Sequence, residues 1–306
     1  MKLATATFLS ISGVPDMTLG LGRGDNGTAR ALTVITGPRA SGKTRTLEAL
    51  LAAKDVIAPY GQPPVARDWI RSGEKAAKVQ LTFELDEDEV RFVGGGAPVV
   101  RAEALFHPQG SRYEADEAFV ALLERYEHEP RAGKVDYFPA TRSVVQGASG
   151  HGLTAIEQRL LRTSRDPRKY AFLPRFIAHV ARDASARARF EAALAALSTT
   201  VRYVGSAGDD DQVCFESGSR GRVSAAALAS SECDAIIFAA TSAMICHEKS
   251  IVFVDRPELY QDEAGAAAFL EGVASLAADL QLVVATASPA VLSAVDPSCV
   301  VRLPVG

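Results

Sequence analysis

The chain has 306 residues, near the upper size for a single hydrophobic core. Apolar residues make up 47% and charged residues 23%, which is ordinary for a soluble globular protein. A net charge of -4 argues against a surface that binds polyanions in general, and the four cysteines have no metal-site spacing. Such cysteine usage is typical of a reduced, cytoplasmic protein.

The N-terminal segment is expected to be a strand rather than a targeting signal. Lys2 and the apolar run after it could begin a signal peptide, but polar residues interrupt the run and no clear cleavage site follows. The interrupting residues are Thr5, Thr7, Ser10 and Ser12. No stretch of the chain approaches the roughly 18 uninterrupted apolar residues of a membrane-spanning helix.

The first elements predict an antiparallel meander that leads into a buried strand. Residues 5–11 and 17–22 are typical of short strands, and the segment 22–27 (GRGDNG) supplies a turn. The continuous apolar run at 31–36 indicates a strand buried on both faces. A helix is expected to follow at about 43–54.

The next segment predicts a hairpin with one face in water. Polar and apolar residues alternate from 79 to 85, and the acidic residues at 86–89 are interpreted as the turn before a second strand. A helix at about 114–126 and a strand at 134–140 are expected next.

The middle of the chain, about 151–198, is expected to be helical, with a long Ala- and Arg-rich stretch from about Phe172 to Leu197. It is too short for a long coiled-coil arm. Helices and strands then alternate to the end, which predicts an α/β fold with a largely parallel central sheet. The expected strands are 251–255, 281–286 and 299–304, and the expected helices are about 232–246 and 263–279.

The strongest motif is GPRASGKT at 37–44, which fits G-x-x-x-x-G-K-[ST] at every fixed position, between a buried strand and a helix. Backbone N–H groups of such a loop curl around phosphates at the positive end of the helix. Lys43 is expected to reach the β- and γ-phosphates of ATP, and the Thr44 hydroxyl is expected to bind Mg²⁺. The expected nucleotide contacts are Gly37, Arg39, Ala40, Ser41, Gly42, Lys43, Thr44 and Arg45.

A second candidate site residue is Asp255, at the end of the apolar run 251–254. A carboxylate at the tip of a buried strand is expected to hold the same Mg²⁺ as Thr44, directly or through water. The alternative interpretation is a strand-end aspartate that caps a turn.

The order of these motifs resembles an ABC-type ATPase head of the RecF/SMC/OLD-like group of bacterial AAA ATPases. Four further segments carry the resemblance: DYFPATRS (136–143) resembles the Q-loop region, LASSECDAIIFAA (228–240) the signature, IVFVDRPEL the Walker B segment and LVVATASPAVL (282–292) the switch. The resemblance covers nearly the whole chain. It implies a P-loop NTPase fold with an N-terminal antiparallel meander and a small helical subdomain.

The resemblance also implies a domain organisation and an assembly. Residues 1–306 would form one domain, with 1–145 and 199–306 as the nucleotide-binding core and about 146–198 as a helical insertion. Such heads hold ATP between the P-loop of one subunit and the signature of another, which implies a homodimer or heterodimer and a separate effector protein. The signature residues expected at the partner's nucleotide are Ser230 and Ser231.

The departures from the family pattern all concern hydrolysis. Arg256 stands where a glutamate orients the attacking water, Ala287 where a switch histidine contacts the γ-phosphate, and Ala229 where the signature has serine. Loss of a general base typically costs about 100- to 10,000-fold in rate. Glu258 is the candidate replacement, alongside Lys43 and Asp255 as catalytic residues; a surface carboxylate at the dimer edge is the alternative.

Several functions therefore stay open. The chain is expected to be a slow ATPase that drives a partner, a non-enzymatic ATP-binding switch or scaffold, or the degenerate half of a heterodimer, in DNA repair, anti-phage defence or transport. A small-molecule kinase is disfavoured because signature-like and switch-like segments have no place in one. A basic cluster could bind nucleic-acid phosphate or an acidic partner, or be a solvated helix face. Its residues are Arg159, Arg162, Arg165, Arg168 and Lys169.

Overall fold

The computed structural model describes residues 1–21, 29–58, 64–129, 132–144, 155–207 and 212–304, so the turn predicted at 22–27 lies outside it. The strands are β1 (Lys2–Leu9), β2 (Met17–Gly20), β3 (Leu32–Thr36), β4 (Ala77–Glu84), β5 (Val99–His107), β6 (Gly110–Ala115), β7 (Val135–Phe138), β8 (Val201–Ala207), β9 (Gln212–Ser217), β10 (Gly221–Ser224), β11 (Ile251–Asp255), β12 (Gln281–Ala285) and β13 (Val300–Arg302). The helices are α1 (Lys43–Ile57), α2 (Glu87–Phe92), α3 (Glu117–His128), α4 (Ala155–Leu161), α5 (Leu173–Val180), α6 (Ala184–Leu197), α7 (Ser230–Ile245), α8 (Glu263–Ala274) and α9 (Pro289–Ala294).

Two large sheets enclose α1. The first is antiparallel, in the order β2-β1-β4-β5-β6, and the second is parallel throughout, in the order β13-β3-β12-β11-β7. A smaller antiparallel sheet has the order β10-β9-β8. The predicted meander and the predicted parallel central sheet are both present.

The parallel sheet is buried on both faces, as the continuous apolar runs predict. Along β12, Val283 and Ala285 face the core that α1 and the antiparallel sheet share, whereas Leu282 and Val284 face the core formed by α5 to α8. Gln281 at the start of β12 joins the two large sheets, because its side chain bonds both the N–H and the carbonyl of Leu3 at 2.7 and 2.8 Å. The sheets and α1 therefore form one packed unit.

The hairpin prediction is correct for the first strand at 79–85 but wrong for the turn at 86–89 and the second strand directly after it. Residues Glu87–Phe92 form α2, and the partner of β4 is β5, which begins only at Val99. A capping box starts the helix: the Asp86 side chain accepts from the Glu89 N–H, and the Glu89 side chain accepts from the Asp86 N–H. The acidic residues therefore begin a helix instead of turning a hairpin.

Other expected boundaries also shift. The start of the helix expected at 114–126 belongs to β6, and α3 begins at Glu117 after it. The Ala- and Arg-rich stretch expected to be helical from Phe172 to Leu197 forms two helices, α5 and α6, with Asp183 capping the second. Within the described residues, no helix has the length and apolar character that crossing a membrane requires.

A buried charged cluster joins β7 to the helices. Asp136 on β7 is fully buried and lies 3.2 Å from the Lys169 ammonium and 3.0 Å from His247 Nε2. Burial alone would raise the pKa of Asp136, but Lys169 and His247 hold it below its usual range. Burial lowers the pKa of Lys169, and the charge of Asp136 opposes that shift.

We expect Asp136→Asn to cost about 3–5 kcal/mol of unfolding free energy at pH 7, because it leaves the buried Lys169 charge without its partner. Denaturant unfolding measures it, with Glu103→Gln in the surface pair Lys78–Glu103 as a control that costs less than about 1 kcal/mol. Since the pKa of Asp136 is lowered by folding, its contribution is complete above about pH 5 and declines progressively as the pH falls further. An equal cost for both variants would contradict the prediction.

Candidate nucleotide-binding site

The predicted site residues meet at the carboxyl edge of the parallel sheet, the edge where α/β folds bind ligands. The loop 37–42 leaves β3 there and enters α1. Asp255 is the last residue of β11, and Thr286 directly follows β12. The segment 139–144 follows β7 at the same edge.

The backbone of the loop 37–42 has a conformation that its sequence requires. Gly42 has φ +89°, and a Cβ at this position would lie 2.3 Å from the carbonyl oxygen of Gly13, so only glycine fits. Ala40 also has a left-handed backbone, with φ 65°. Pro38, Arg39 and Ala40 are exposed, so the outer side of the loop faces solvent.

Lys43 and Thr44 occupy the first turn of α1, where no side chain caps the helix. The Lys43 ammonium donates to the carbonyls of Gly37 and Pro38 at 2.9 and 2.7 Å, within the loop that it is predicted to serve. The Thr44 hydroxyl donates to Asp255 Oδ2 at 2.9 Å. The two predicted metal ligands, 211 residues apart in sequence, are thus in direct contact.

Unsatisfied buried groups lie beside this pair. The Ser41 and Tyr137 hydroxyls are buried and have no hydrogen-bond partner, which in a folded protein calls for a ligand or water. Burial raises the pKa of Asp255, against the hydrogen bond from Thr44 and the charge of Arg142. The carboxylate, the hydroxyl and the exposed glycine-bearing loop fit a nucleotide phosphate with its Mg²⁺.

Arg45 lies at the side of the site that faces the antiparallel sheet. Its guanidinium stacks on Trp69 at 3.6 Å from the ring centroid and donates through Nε to the Ser12 carbonyl at 3.1 Å. It also donates to the Asp68 carbonyl. All of these contacts are with protein groups. The contact between Arg45 and the nucleotide therefore stays a prediction.

Arg256 and Glu258 have different surroundings on the far side of Asp255. Arg256 is exposed and has φ 53°, a left-handed conformation that is uncommon for arginine. Glu258 is half-buried, and its Oε2 accepts from the Thr286 hydroxyl at 2.8 Å. The structure therefore places Glu258 between the ends of β11 and β12, beside the switch-like segment.

Sequence reasoning missed the buried residue that joins these segments. Arg142 is fully buried and contacts both carboxylate oxygens of Asp234 on α7, through Nε and through Nη2 at 3.1 Å. Its remaining donors reach the carbonyls of Pro139, Asp255 and Arg256 at 3.2, 2.8 and 2.9 Å. Burial raises the pKa of Asp234, and the Arg142 charge opposes that shift.

The signature-like residues stand at the start of α7. Ser230 is exposed and Ser231 is half-buried, and Ala229 at the N-cap has no side chain to cap the helix. Glu232 instead accepts from the Ala229 N–H at 2.7 Å and bonds Ser217 and Arg220. By contrast, four other helices have side-chain caps, from Asp86, Asp183, Asp262 and Ser288.

The residues of the predicted basic cluster have different surroundings in the structure. Lys169 is buried against Asp136 and is not part of an exposed basic surface, which corrects its assignment to nucleic-acid binding. Arg159 and Arg162 both pair with Glu127, at 3.5 and 3.7 Å. The remaining pairs are Arg165 with Glu48 at 3.0 Å and Arg168 with Asp166 at 2.6 Å.

Comparison with known proteins identifies the fold. No protein-family model matches the chain, and no curated protein matches it. Among solved structures, the SMC head domain from Thermotoga maritima has a TM-score of 0.54 and 13% identity, covering 97% of this chain and 93% of that one. The chain has the fold of an SMC head.

Two further SMC heads support this assignment. An SMC head bound to the C-terminal winged-helix domain of ScpA has a TM-score of 0.57 and 15% identity, covering 99% of this chain and 94% of that one. An SMC head with an extended coiled coil bound to the C-terminal domain of ScpA, derived from Pyrococcus furiosus, has a TM-score of 0.57 and 13% identity, covering 98% and 93%. At identities of 13–15%, the similarity to these structures shows the fold alone. It confirms the predicted α/β head fold.

We expect Gly42→Ala to abolish nucleotide binding and to cost about 1–3 kcal/mol of stability, because it forces a Cβ against Gly13 in a left-handed conformation. Gly20→Ala is the matched control, since a Cβ there meets nothing within 4 Å. Thermal unfolding and fluorescent-nucleotide titration measure both variants. Unchanged nucleotide affinity in Gly42→Ala would contradict the assigned loop geometry.

Proposed function

We propose that the chain is an ABC-type ATPase head that binds ATP with Mg²⁺, dimerises around the nucleotide and controls a separate partner protein, with slow hydrolysis. The observation that carries the proposal is the 2.9 Å contact between Thr44 and Asp255, at the end of a glycine-dependent loop that opens α1. The SMC-head fold supports it, because the loop stands at the edge of the sheet where ligands bind.

In this proposal each residue of the candidate site has one role in nucleotide binding. Backbone N–H groups of residues 39–44 surround the phosphates, and the uncapped first turn of α1 adds its partial positive charge. Lys43 exchanges the carbonyls of Gly37 and Pro38 for phosphate oxygens. Thr44 and Asp255 hold Mg²⁺, which when bound neutralises phosphate charge.

The exposed parts of the site support a dimer. One chain presents the outer side of its loop, with Arg39 and Ala40 in solvent, and an uncapped helix start at Ser230. Each is half of a phosphate-binding surface, and the N-terminus of a helix favours anions. A second chain that places its Ser230 and Ser231 at the loop would close the site.

Hydrolysis is proposed to be slow because no base stands at the usual position. Arg256 carries only donors and stays protonated, so it cannot take a proton from water. Its exposed side chain could instead attract the γ-phosphate and prolong the closed state. Glu258 is the rival base, but its Oε2 is engaged by the Thr286 hydroxyl at 2.8 Å.

The partner is proposed to be a separate polypeptide, as in the SMC heads solved with ScpA. A cytoplasmic location fits the cysteine usage. A non-enzymatic switch is the second candidate function, and the left-handed, exposed Arg256 at the position of the missing base is the observation that favours it.

We expect Lys43→Ala to abolish binding of ATP with Mg²⁺, because it removes the cation nearest the phosphates. Isothermal titration calorimetry measures the affinity, and Lys75→Ala, at an exposed lysine outside the site, should bind as the wild type does. Unchanged ATP affinity in Lys43→Ala would contradict the assignment of nucleotide binding to the loop 37–44.

We expect ATP to bring Arg39 of one chain near Ser231 of another. A double variant with cysteines at both positions should form intermolecular crosslinks with a short bis-maleimide only when ATP is present. Each single variant controls for the native cysteines, including the half-buried Cys233. Crosslinks that form without ATP, or only within one chain, would contradict the sandwiched nucleotide.

We expect the wild type to hydrolyse ATP slowly, Arg256→Glu to hydrolyse it faster and Glu258→Gln to stay slow. The reason is that Arg256→Glu restores an acceptor next to Asp255, with the rate gain of a general base of about 100-fold or more. A steady-state phosphate-release assay measures the hydrolysis rates of the three proteins. Brisk wild-type turnover that disappears in Glu258→Gln would show that Glu258 is the base.

A further inference from the structure

The Arg142 side chain has a complete set of partners that belong to three separate parts of the chain. Its five N–H donors meet five acceptors: two oxygens of Asp234, and the carbonyls of Pro139, Asp255 and Arg256. A guanidinium offers five donors in a rigid plane, so here no donor is left over. Neither Arg142 nor Asp234 has any exposed surface in its side chain.

We infer that Arg142 is a positioning residue that transmits the state of the ATP site to the start of α7. The inference rests on the proposed function and deepens it, since it names how binding at Asp255 prepares the residues that meet the partner's nucleotide. Arg142 would contact neither ATP nor Mg²⁺.

At the ATP end, Arg142 holds the peptide groups on both sides of the metal-binding position. It bonds the carbonyl of Asp255, whose side chain contacts Thr44, and the carbonyl of Arg256. Arg256 has φ 53°, and its N–H is fixed by the Ala285 carbonyl at 2.8 Å. A strained peptide held from both ends has a defined position, so a movement of Asp255 moves the guanidinium.

At the other end, Arg142 holds the first turns of α7. Asp234 lies one helical turn after Ser230 and Ser231, so the paired carboxylate and the two serines belong to the same rigid segment. Glu232 ties that segment to Ser217 and Arg220 of the β9–β10 hairpin. A shift of the guanidinium therefore displaces the helix start as a unit.

Burial makes the connection stiff. The pair lies out of water, so a lost hydrogen bond would leave a charged group unsatisfied, at a far greater cost than on the surface. The Phe138 ring stacks on Phe238 of α7 with centroids 3.9 Å apart, which fixes the strand that precedes Arg142 to the same helix. The end of β11 and the start of α7 can therefore move together, but separating them would cost a large free energy.

Hydrogen exchange on the monomer tests the inference without involving the dimer. At protein concentrations where sedimentation shows a monomer, ATP with Mg²⁺ should slow exchange in peptides that cover 229–234 by about threefold or more in the wild type. Arg142→Lys keeps the charge but cannot span all five acceptors. It should still bind ATP measurably by calorimetry, because Arg142 contacts neither ATP nor Mg²⁺, and lose the exchange response.

Lys169→Arg is the matched control, because it also exchanges one buried cation for another, in the pair with Asp136 rather than with Asp234. Its exchange response at 229–234 should equal that of the wild type. A response retained in Arg142→Lys, or lost in both variants, would overturn the inference. So would a wild type that binds ATP without any response, whereas a wild type that fails to bind ATP would overturn the proposed function itself.

Discussion

The buried ion pair of Arg142 and Asp234 is the constraint around which the site is arranged. Removing either partner would leave a charge in the core, at a typical cost of about 3–5 kcal/mol. Arg142 also donates to the carbonyls of Asp255 and Arg256. The end of β11, the segment after β7 and the start of α7 are consequently held in one geometry.

In the proposed function, nucleotide binding and hydrolysis depend on different parts of this geometry. The binding part is local: a loop that only glycine can complete, the first turn of α1 and a strand-end carboxylate in contact with Thr44. In that proposal, hydrolysis needs an acceptor for the proton of the attacking water, and the position beside Asp255 holds an exposed arginine instead. Under the proposed function, the chain would hold ATP while lacking a base beside Asp255 to activate the attacking water.

Local sequence patterns predicted the loop, the helix and the strand that carry the candidate binding residues. The motif GPRASGKT predicts a glycine-containing loop between a strand and a helix. The apolar run 251–254 predicts a strand buried on both faces. The helix at 87–92 was also predictable, because Asp86 and Glu89 form a capping-box pattern ahead of apolar residues. The prediction of a turn at these acidic residues was wrong because a capping box begins a helix.

Other features have no local signature. Arg142 and Asp234 are 92 residues apart, and nothing near either residue distinguishes a buried charge from a solvated one. Lys169 sits among exposed arginines in the sequence, yet tertiary packing directs it inward to Asp136. The edge strand β6 is exposed along nearly all of its length, so it lacks the alternation that reveals a strand. Such features follow only from the assembled fold.

The central claim is that Thr44 and Asp255 together hold the metal ion of a bound nucleotide. Electron paramagnetic resonance of Mn²⁺ with ATP tests it most directly, because Mn²⁺ takes the oxygen ligands of Mg²⁺ and reports its own immobilisation. The account predicts that the wild type immobilises one Mn²⁺ per chain only when ATP is present. It also predicts that Asp255→Asn and Thr44→Val weaken this signal strongly. A Mn²⁺–ATP spectrum that the protein leaves unchanged, or that Asp255→Asn reproduces at wild-type strength, would contradict the account.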